Sequence, residues 1–212
     1  MNVVIVGGHG KIGLRLEKLL AERGDSPRGI IRKTEQVADL EEIGAEPIVL
    51  DIENVDDISD ALAGGDAVVF AAGAGPGSGP ARKRTVDYGG AVKLADAAQQ
   101  QSIRRYVMVS SIGSNRPETW SDQMRPYQEA KAGADQYLRE SGLDYTIIRP
   151  GGLTDDPGTG NVQIGERLDY GKVTRDDVAA VIGECLVADN TIGKEFDLLN
   201  DGTPIAEALR SL

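Results

Sequence analysis

The sequence predicts an α/β protein, a doubly wound parallel sheet with helices on both faces, built as one domain over residues 1–212. Three observations carry this expectation. Apolar runs of strand length alternate with stretches of helical periodicity along the chain, and glycines crowd the junction of the first strand and first helix. Small or polar residues also gather just after the strand-like runs, where an open parallel sheet takes its ligands.

The elements follow in order. Val3 to Val6 is wholly apolar, as a strand buried on both faces requires, and Ile12 to Arg23 puts Leu16, Leu19 and Leu20 on one helical face. A strand at Ile30-Ile31 precedes a short helix from Thr34 to Ile43 ended by Gly44, then a strand from Pro47 to Leu50. Asn54 to Ala63 reads as a helix capped by Asn54 and closed by Gly64-Gly65. Next come a strand (Ala67 to Ala72), a helix (Thr85 to Gln101) and a strand (Arg105 to Ser110). Pro126 to Glu140 has proline near its start and Gly142 past its end, the usual asymmetry of a helix, and Tyr145 to Ile148 follows as a strand. A helix from about Asp176 to Val187, a strand near Phe196 to Leu199 and a short terminal helix complete the chain. Right-handed crossovers then place the binding crevice at the carboxyl ends of the strands.

Composition narrows the function classes. A net charge of −11, from 34 acidic and 23 basic residues, argues against nucleic acid or an anionic membrane surface as partner. The single cysteine, Cys185, excludes an intramolecular disulfide framework, lies in an apolar run that marks it as core, and fits a reducing compartment. No basic leader followed by a long apolar stretch is evident, so the expectation is a cytoplasmic protein.

The run from Asn2 to Gly13 reads as a binding loop for a phosphorylated dinucleotide. Gly7 allows the sharp turn, Gly10 lets the backbone approach a pyrophosphate, and Gly13 lets the helix pack closely on the strand, its N-terminus facing the anion. After the second strand an NAD site needs an acid for the ribose hydroxyls, but this chain has Arg32 and Lys33, which suit a 2′-phosphate and favour NADP(H). Two solvated surface cations would give the same pair. Asp51-Ile52, Ala71-Ala72-Gly73, Ser110-Ser111 and Pro150-Gly151-Gly152-Leu153 all fall at carboxyl ends of strands, where small residues admit a cofactor to the backbone. Asp51 is placed to accept from an adenine amino group, although a turn or cap role is also open to it.

Tyr127 and Lys131 lie four apart on one helix and so share a face. A nearby ammonium equips a tyrosine as proton donor during hydride transfer, and a hydroxyl from Ser111 or Ser110 orients a carbonyl. The same spacing also arises on helices as an aromatic packed beside a solvated cation. His9, the only histidine, has no second metal-type ligand near it in sequence and reads as a loop residue near phosphate, with no metal site expected.

The runs Val3 to Gly13, Tyr106 to Gly113, Tyr127 to Lys131 and Leu143 to Thr154 resemble the atypical short-chain dehydrogenase/reductase superfamily. Within it the chain is similar to the small NAD(P)H-binding, sugar-epimerase-like group, whose relatives include flavin/biliverdin-IXβ reductases and nitrogen-metabolite-repression-type regulators. The resemblance implies a Rossmann-type fold. It implies that Gly7, His9, Gly10, Lys11, Ile12 and Gly13 surround the pyrophosphate, and that Arg32 and Lys33 hold the 2′-phosphate. Asp51 and Ile52 would flank adenine, Ala71, Ala72 and Gly73 the adjoining ribose, and Pro150, Gly151 and Leu153 the nicotinamide end. Tyr127 and Lys131 match the superfamily's proton-transfer pair, with Ser111, or else Ser110, in the serine role.

About sixty residues remain beyond Leu153, too few for a large substrate domain. The substrate wall must then come from short loops, Asn115 to Arg125 with Trp120 and Met124, and Thr154 to Asp169 within a minimal region of about 150–175. Gly73 to Pro80 reads as a mobile loop beside the cofactor, and Arg82, Lys83 and Arg84 after it are placed to attract a phosphate or an anionic substrate. Two functions fit: an NADPH-dependent reductase of a small carbonyl, quinone or flavin, or an NADP(H)-binding redox sensor without chemistry. Either suits a monomer or a homodimer.

Overall fold

The computed structural model describes residues 1–75 and 77–212; Pro76, inside the loop expected to be mobile, lies outside them. The chain alternates as expected as far as β3: β1 (Asn2–Val6), α1 (Lys11–Glu22), β2 (Ser26–Ile31), α2 (Val37–Glu42) and β3 (Glu46–Val49), with β4 (Ala67–Phe70) next. A helical turn, α3 (Pro80–Arg82), runs through a π-helical stretch (Lys83–Gly90) into α4 (Ala91–Gln100). Then come β5 (Arg105–Val109), α5 (Arg125–Glu140) and β6 (Asp144–Pro150). The remainder holds β7 (Gly152–Thr154), β8 (Asn161–Gly165), β9 (Lys172–Thr174), α6 (Arg175–Cys185), β10 (Lys194–Asn200), β11 (Thr203–Pro204) and α7 (Ile205–Arg210).

Among the described residues nine strands make one sheet, in the order β11-β8-β10-β6-β5-β4-β1-β2-β3. β1 pairs in parallel with β2 on one side and β4 on the other, so the strand order reverses there and a crevice opens at the carboxyl ends. Alternate side chains of the central strands feed two cores. Val3 and Ile5 pack with Leu16 and Leu20 of α1 and with Val178 and Ile182 of α6. Val4, Val6 and Phe70 pack with Leu94 of α4 and with Ala134 and Leu138 of α5. Burial on both faces is why Val3 to Val6 carries no polar residue. Cys185 lies in the first core, as expected, and burial pushes its thiol up to about 12.

Three elements depart from the expectation. Asn54 to Ala63 is not a helix but a loop ending in one helical turn at Ser59–Leu62. Its start is drawn elsewhere: Lys93 Nζ donates to the Val55 oxygen and to that of Ile52 just before the segment, and Asn54 donates to Asp51 instead of capping a helix. The helix expected from Thr85 begins earlier, at Pro80, whose missing N–H costs nothing in a first turn. The substrate-side region is also more regular than loops alone. β8 pairs antiparallel with β10, so the sheet is mostly and not wholly parallel, while β7 pairs with β9 apart from it. Among the described residues no helix is long and apolar enough to cross a membrane.

Candidate cofactor crevice and proton-transfer site

Gly7 follows β1 directly and its φ of +93° lies in the left-handed region. A Cβ there would stand 2.8 Å from the Ala72 nitrogen, so the position excludes a side chain twice over. Gly10 N donates to the Gly7 carbonyl at 2.8 Å and closes the turn. At Gly13 a Cβ would run into the Gly7 and Gly8 carbonyls, so glycine alone lets α1 sit this close to the strand end. Among the described residues no side chain caps α1, which leaves its first N–H groups to a ligand or water at the carboxyl end of β1.

A cavity of about 310 Å³ lies against this loop. It brings together Gly7, His9 and Gly10 with Arg32, Ile52, Ala71, Ala72 and Gly73 from three further strand ends. The cradle that side chains would fill, beside an uncapped helix, fits the phosphates and adenosine half of a dinucleotide. Gln36 fixes the floor: its side-chain oxygen accepts from the Arg32 and Lys33 nitrogens, and its Nε2 donates to His9 Nδ1 at 2.9 Å. The His9 proton then sits on Nε2 and is donated to Asp39 at 2.6 Å. Arg32 is exposed on the cavity wall and makes no ion pair among the described residues; Lys33 is exposed beside it, off the wall.

The sequence did not single out Glu53, which lines the same cavity. Arg82 binds its Oε2 at 2.9 Å and Thr85 its Oε1 at 2.7 Å. Burial works to raise this carboxyl, but the hydrogen bonds from Thr85 and Arg82 and the charges of Arg82 and Arg32 outweigh it and hold the group below its usual range. Asp51 is turned into the loop, accepting from Glu53 N at 3.1 Å and Asn54 Nδ2 at 3.1 Å. Glu17 was also missed. It is fully buried on α1 under Gly8 and Gly29, neither oxygen has a hydrogen-bond partner among the described residues, and desolvation pushes it up to about 8.

Other expected residues stand apart from the cavity. Lys11 pairs with Asp155 at 2.5 Å on the outer side of the glycine loop, and the Ile12 side chain packs into the first core. Pro150 and Gly151 are buried, and Leu153 is exposed on β7. Ser110 is buried and turned to Ser114, whose Oγ donates to Asp135 at 2.9 Å in a network completed by Arg149. Ser111 is half-buried, and its Oγ reaches only the adjacent Ile112 carbonyl at 3.4 Å, which leaves the freer hydroxyl of the two. Trp120 donates to the Gly113 carbonyl at 2.8 Å and pins its own loop.

Tyr127 and Lys131 share the face of α5 turned to the π-helical stretch. Lys131 is buried, and its ammonium reaches the Val109 carbonyl at 3.1 Å, the Ala72 carbonyl at 3.5 Å and Asp87 Oδ1 at 3.4 Å. The two carbonyls accept hydrogen bonds from it, while Asp87 faces it as a counter-charge. Its Nζ lies 6.0 Å from the Tyr127 ring centre, while Lys83 Nζ lies nearer, at 4.9 Å. Asp87 is the missed partner. Its Oδ2 accepts from Ala74 N at 3.1 Å, so one carboxylate ties the lysine to the loop that follows Ala71-Ala72-Gly73. The available signal was an acid between Val86 and Tyr88 in an otherwise apolar stretch. The wide π turn, a feature often found at functional sites, brings that acid to Lys131.

The chain is 43% identical over its whole length, and that of the relative, to the uncharacterized sugar epimerase YhfK of Bacillus subtilis. It superposes with a TM-score of 0.95 and 41% identity on a putative NAD-dependent epimerase/dehydratase from Bacillus halodurans, both chains covered in full. The oxidoreductase ylbE from Lactococcus lactis is similar at 35% identity and a TM-score of 0.90, covering 100% of this chain and 96% of that one. With residues 7–189 matching the family described as NAD(P)H-binding, the chain belongs to that family.

Proposed function

We propose that the protein is a cytoplasmic NADPH-dependent oxidoreductase acting on a small carbonyl, quinone or flavin. The observation that carries the cofactor choice is Arg32, a cation with no salt-bridge partner among the described residues, on the wall of a cavity whose floor is a glycine loop and the start of α1. A planar guanidinium suits a 2′-phosphate and has no use for a bare ribose. Lys33 stands close enough in the chain to add charge, and Ile52 offers an apolar wall to adenine.

When bound, the cofactor supplies a hydride to the substrate. The residues of the chain handle the proton. Tyr127 gives its phenolic proton to the substrate oxygen as negative charge develops there and regains one from solvent, while the Ser111 hydroxyl orients that oxygen. Lys131 acts through its position beside the ring, where the Val109 and Ala72 carbonyls accept from its ammonium and Asp87 stands as its counter-charge. The similarity to a protein described as an oxidoreductase supports the class of reaction.

The burial of Lys131 between two carbonyls and Asp87 also favours a second reading, an NADP(H)-binding redox sensor in which the lysine only braces the crevice. NADPH-consumption assays across carbonyls, quinones and flavins, repeated with Tyr127→Phe, separate the two. The reductase reading expects a loss of about 10²–10⁴-fold in turnover of a carbonyl with NADPH affinity unchanged. A flavin substrate, which takes its proton from solvent, keeps its turnover in that variant. Absence of turnover on every class gives the sensor.

A further inference from the structure

Three cations follow one another where the helical segment begins, and the fold sends them in different directions. Arg82 turns to the cofactor cavity and pairs with Glu53. Arg84 lines a separate groove with Tyr88, Pro126 and Glu129. Lys83 points between them, over the face of Tyr127. Residues 83 and 87 on one segment thus meet 127 and 131 on the other, as Lys83 on Tyr127 and Asp87 on Lys131.

The two pairs are unequal in charge. Asp87 neutralises Lys131 in a nearly dry setting, with both side chains almost fully buried. Lys83 is half-buried, yet among the described residues its ammonium has no carboxylate within salt-bridge distance and no hydrogen bond. Among the described residues the other half-buried cations each find a carboxylate or a carbonyl, whereas the Lys83 ammonium lies only over a ring face and is incompletely satisfied. Its remaining donors are open to an acceptor that arrives beside Tyr127.

We propose that Lys83 is a carboxylate-recognition residue and that the substrate is an anion, a carbonyl compound bearing a carboxylate a short spacer away from the reacting group. The proposal rests on Tyr127 being the proton donor to substrate. An ammonium is a compact charge with rotatable donors, so it selects for charge more than for shape and leaves the rest of the substrate to the neighbouring loops. Arg32 and Lys83 then divide the two anions between them, the cofactor phosphate and the substrate carboxylate.

The test uses 4-formylbenzoate and its methyl ester, which differ by one charge. Each is titrated into the intact protein with and without NADP⁺, following the fluorescence of the lone Trp120, and each is offered as substrate with NADPH. The parent protein is expected to bind the acid at least about tenfold more tightly than the ester, a preference that shrinks as salt is raised. Lys83→Met should abolish the preference without changing affinity for the ester, Lys83→Arg should retain most of it, and the loss in turnover should fall on KM with kcat within about twofold. Thermal melting confirms that both variants fold. Equal binding of acid and ester by the parent, or a preference that survives Lys83→Met, overturns the proposal. Binding of the acid with the expected preference but no reduction of it keeps the anion site and removes the reductase reading.

Discussion

Replacing Glu17 by glutamine should change the pH dependence of stability in a calculable way. Glu17 is fully buried beneath the glycine loop, its oxygens lack partners, and desolvation carries its carboxyl from 4.5 up to about 8. The folded protein therefore keeps a proton that the unfolded chain loses above the ordinary glutamate range. Where the native state holds more protons than the unfolded state, stability falls as pH rises. The decline runs at about 1.4 kcal/mol per pH unit through this window and levels off once the buried acid itself ionises. Between pH 6 and 8 the parent should lose roughly 2–3 kcal/mol that Glu17→Gln does not lose. For a chain of this size that corresponds to on the order of 4–10 °C in melting temperature. Thermal melts of both proteins across pH 5–9 measure the gap, which should widen toward high pH in favour of the glutamine variant. Curves that run parallel across the range would show that no neutral buried acid sits under Gly8, and the account of the loop's floor would be wrong.

Two further substitutions probe the packing on which the site depends. Gly13→Ala drives a Cβ into the Gly7 and Gly8 carbonyls and should cost about 1–3 kcal/mol in urea unfolding while weakening NADPH binding; an unchanged midpoint would contradict the close approach of α1. Asp87→Asn leaves the Lys131 ammonium buried without its counter-charge and should destabilise by roughly 3–5 kcal/mol, whereas Asp87→Asn combined with Lys131→Met should recover much of that loss. Equal losses in the single and double variants would show that the pair is not coupled.

The parts of this molecule that were legible in the sequence are those set by local pattern. Val3 to Val6 has to be apolar because both faces of its strand are covered, and the glycines at 7, 10 and 13 are spaced by a turn whose geometry each one serves. Arg32 stood out because an acid is the usual residue after that strand in an NAD site. The parts that were not legible depend on contacts distant along the chain. Lys93, 38 residues from Val55, takes the Val55 carbonyl that a helix from Asn54 would have needed. Asp87 looked like an ordinary polar interruption until a π turn set it against Lys131. Glu17 fell at a position the helical pattern assigns to either face, and only the nearness of Gly29 on β2 shows that it is enclosed. β8 was hidden because its alternation, buried Val162 followed by exposed Gln163, is too short to outweigh the loop residues around it.

The central claim is that the crevice between β1 and β4 holds NADP(H) through Arg32. Titration of NADPH and NADH into the parent protein and into Arg32→Ala tests it most directly. A charge-assisted contact of roughly 1.5–3 kcal/mol predicts that the parent prefers NADPH by about ten- to a hundredfold. The variant should lose that preference through weaker NADPH binding, with NADH affinity unchanged. Equal affinities in the parent protein, or a preference that persists without Arg32, would contradict the account.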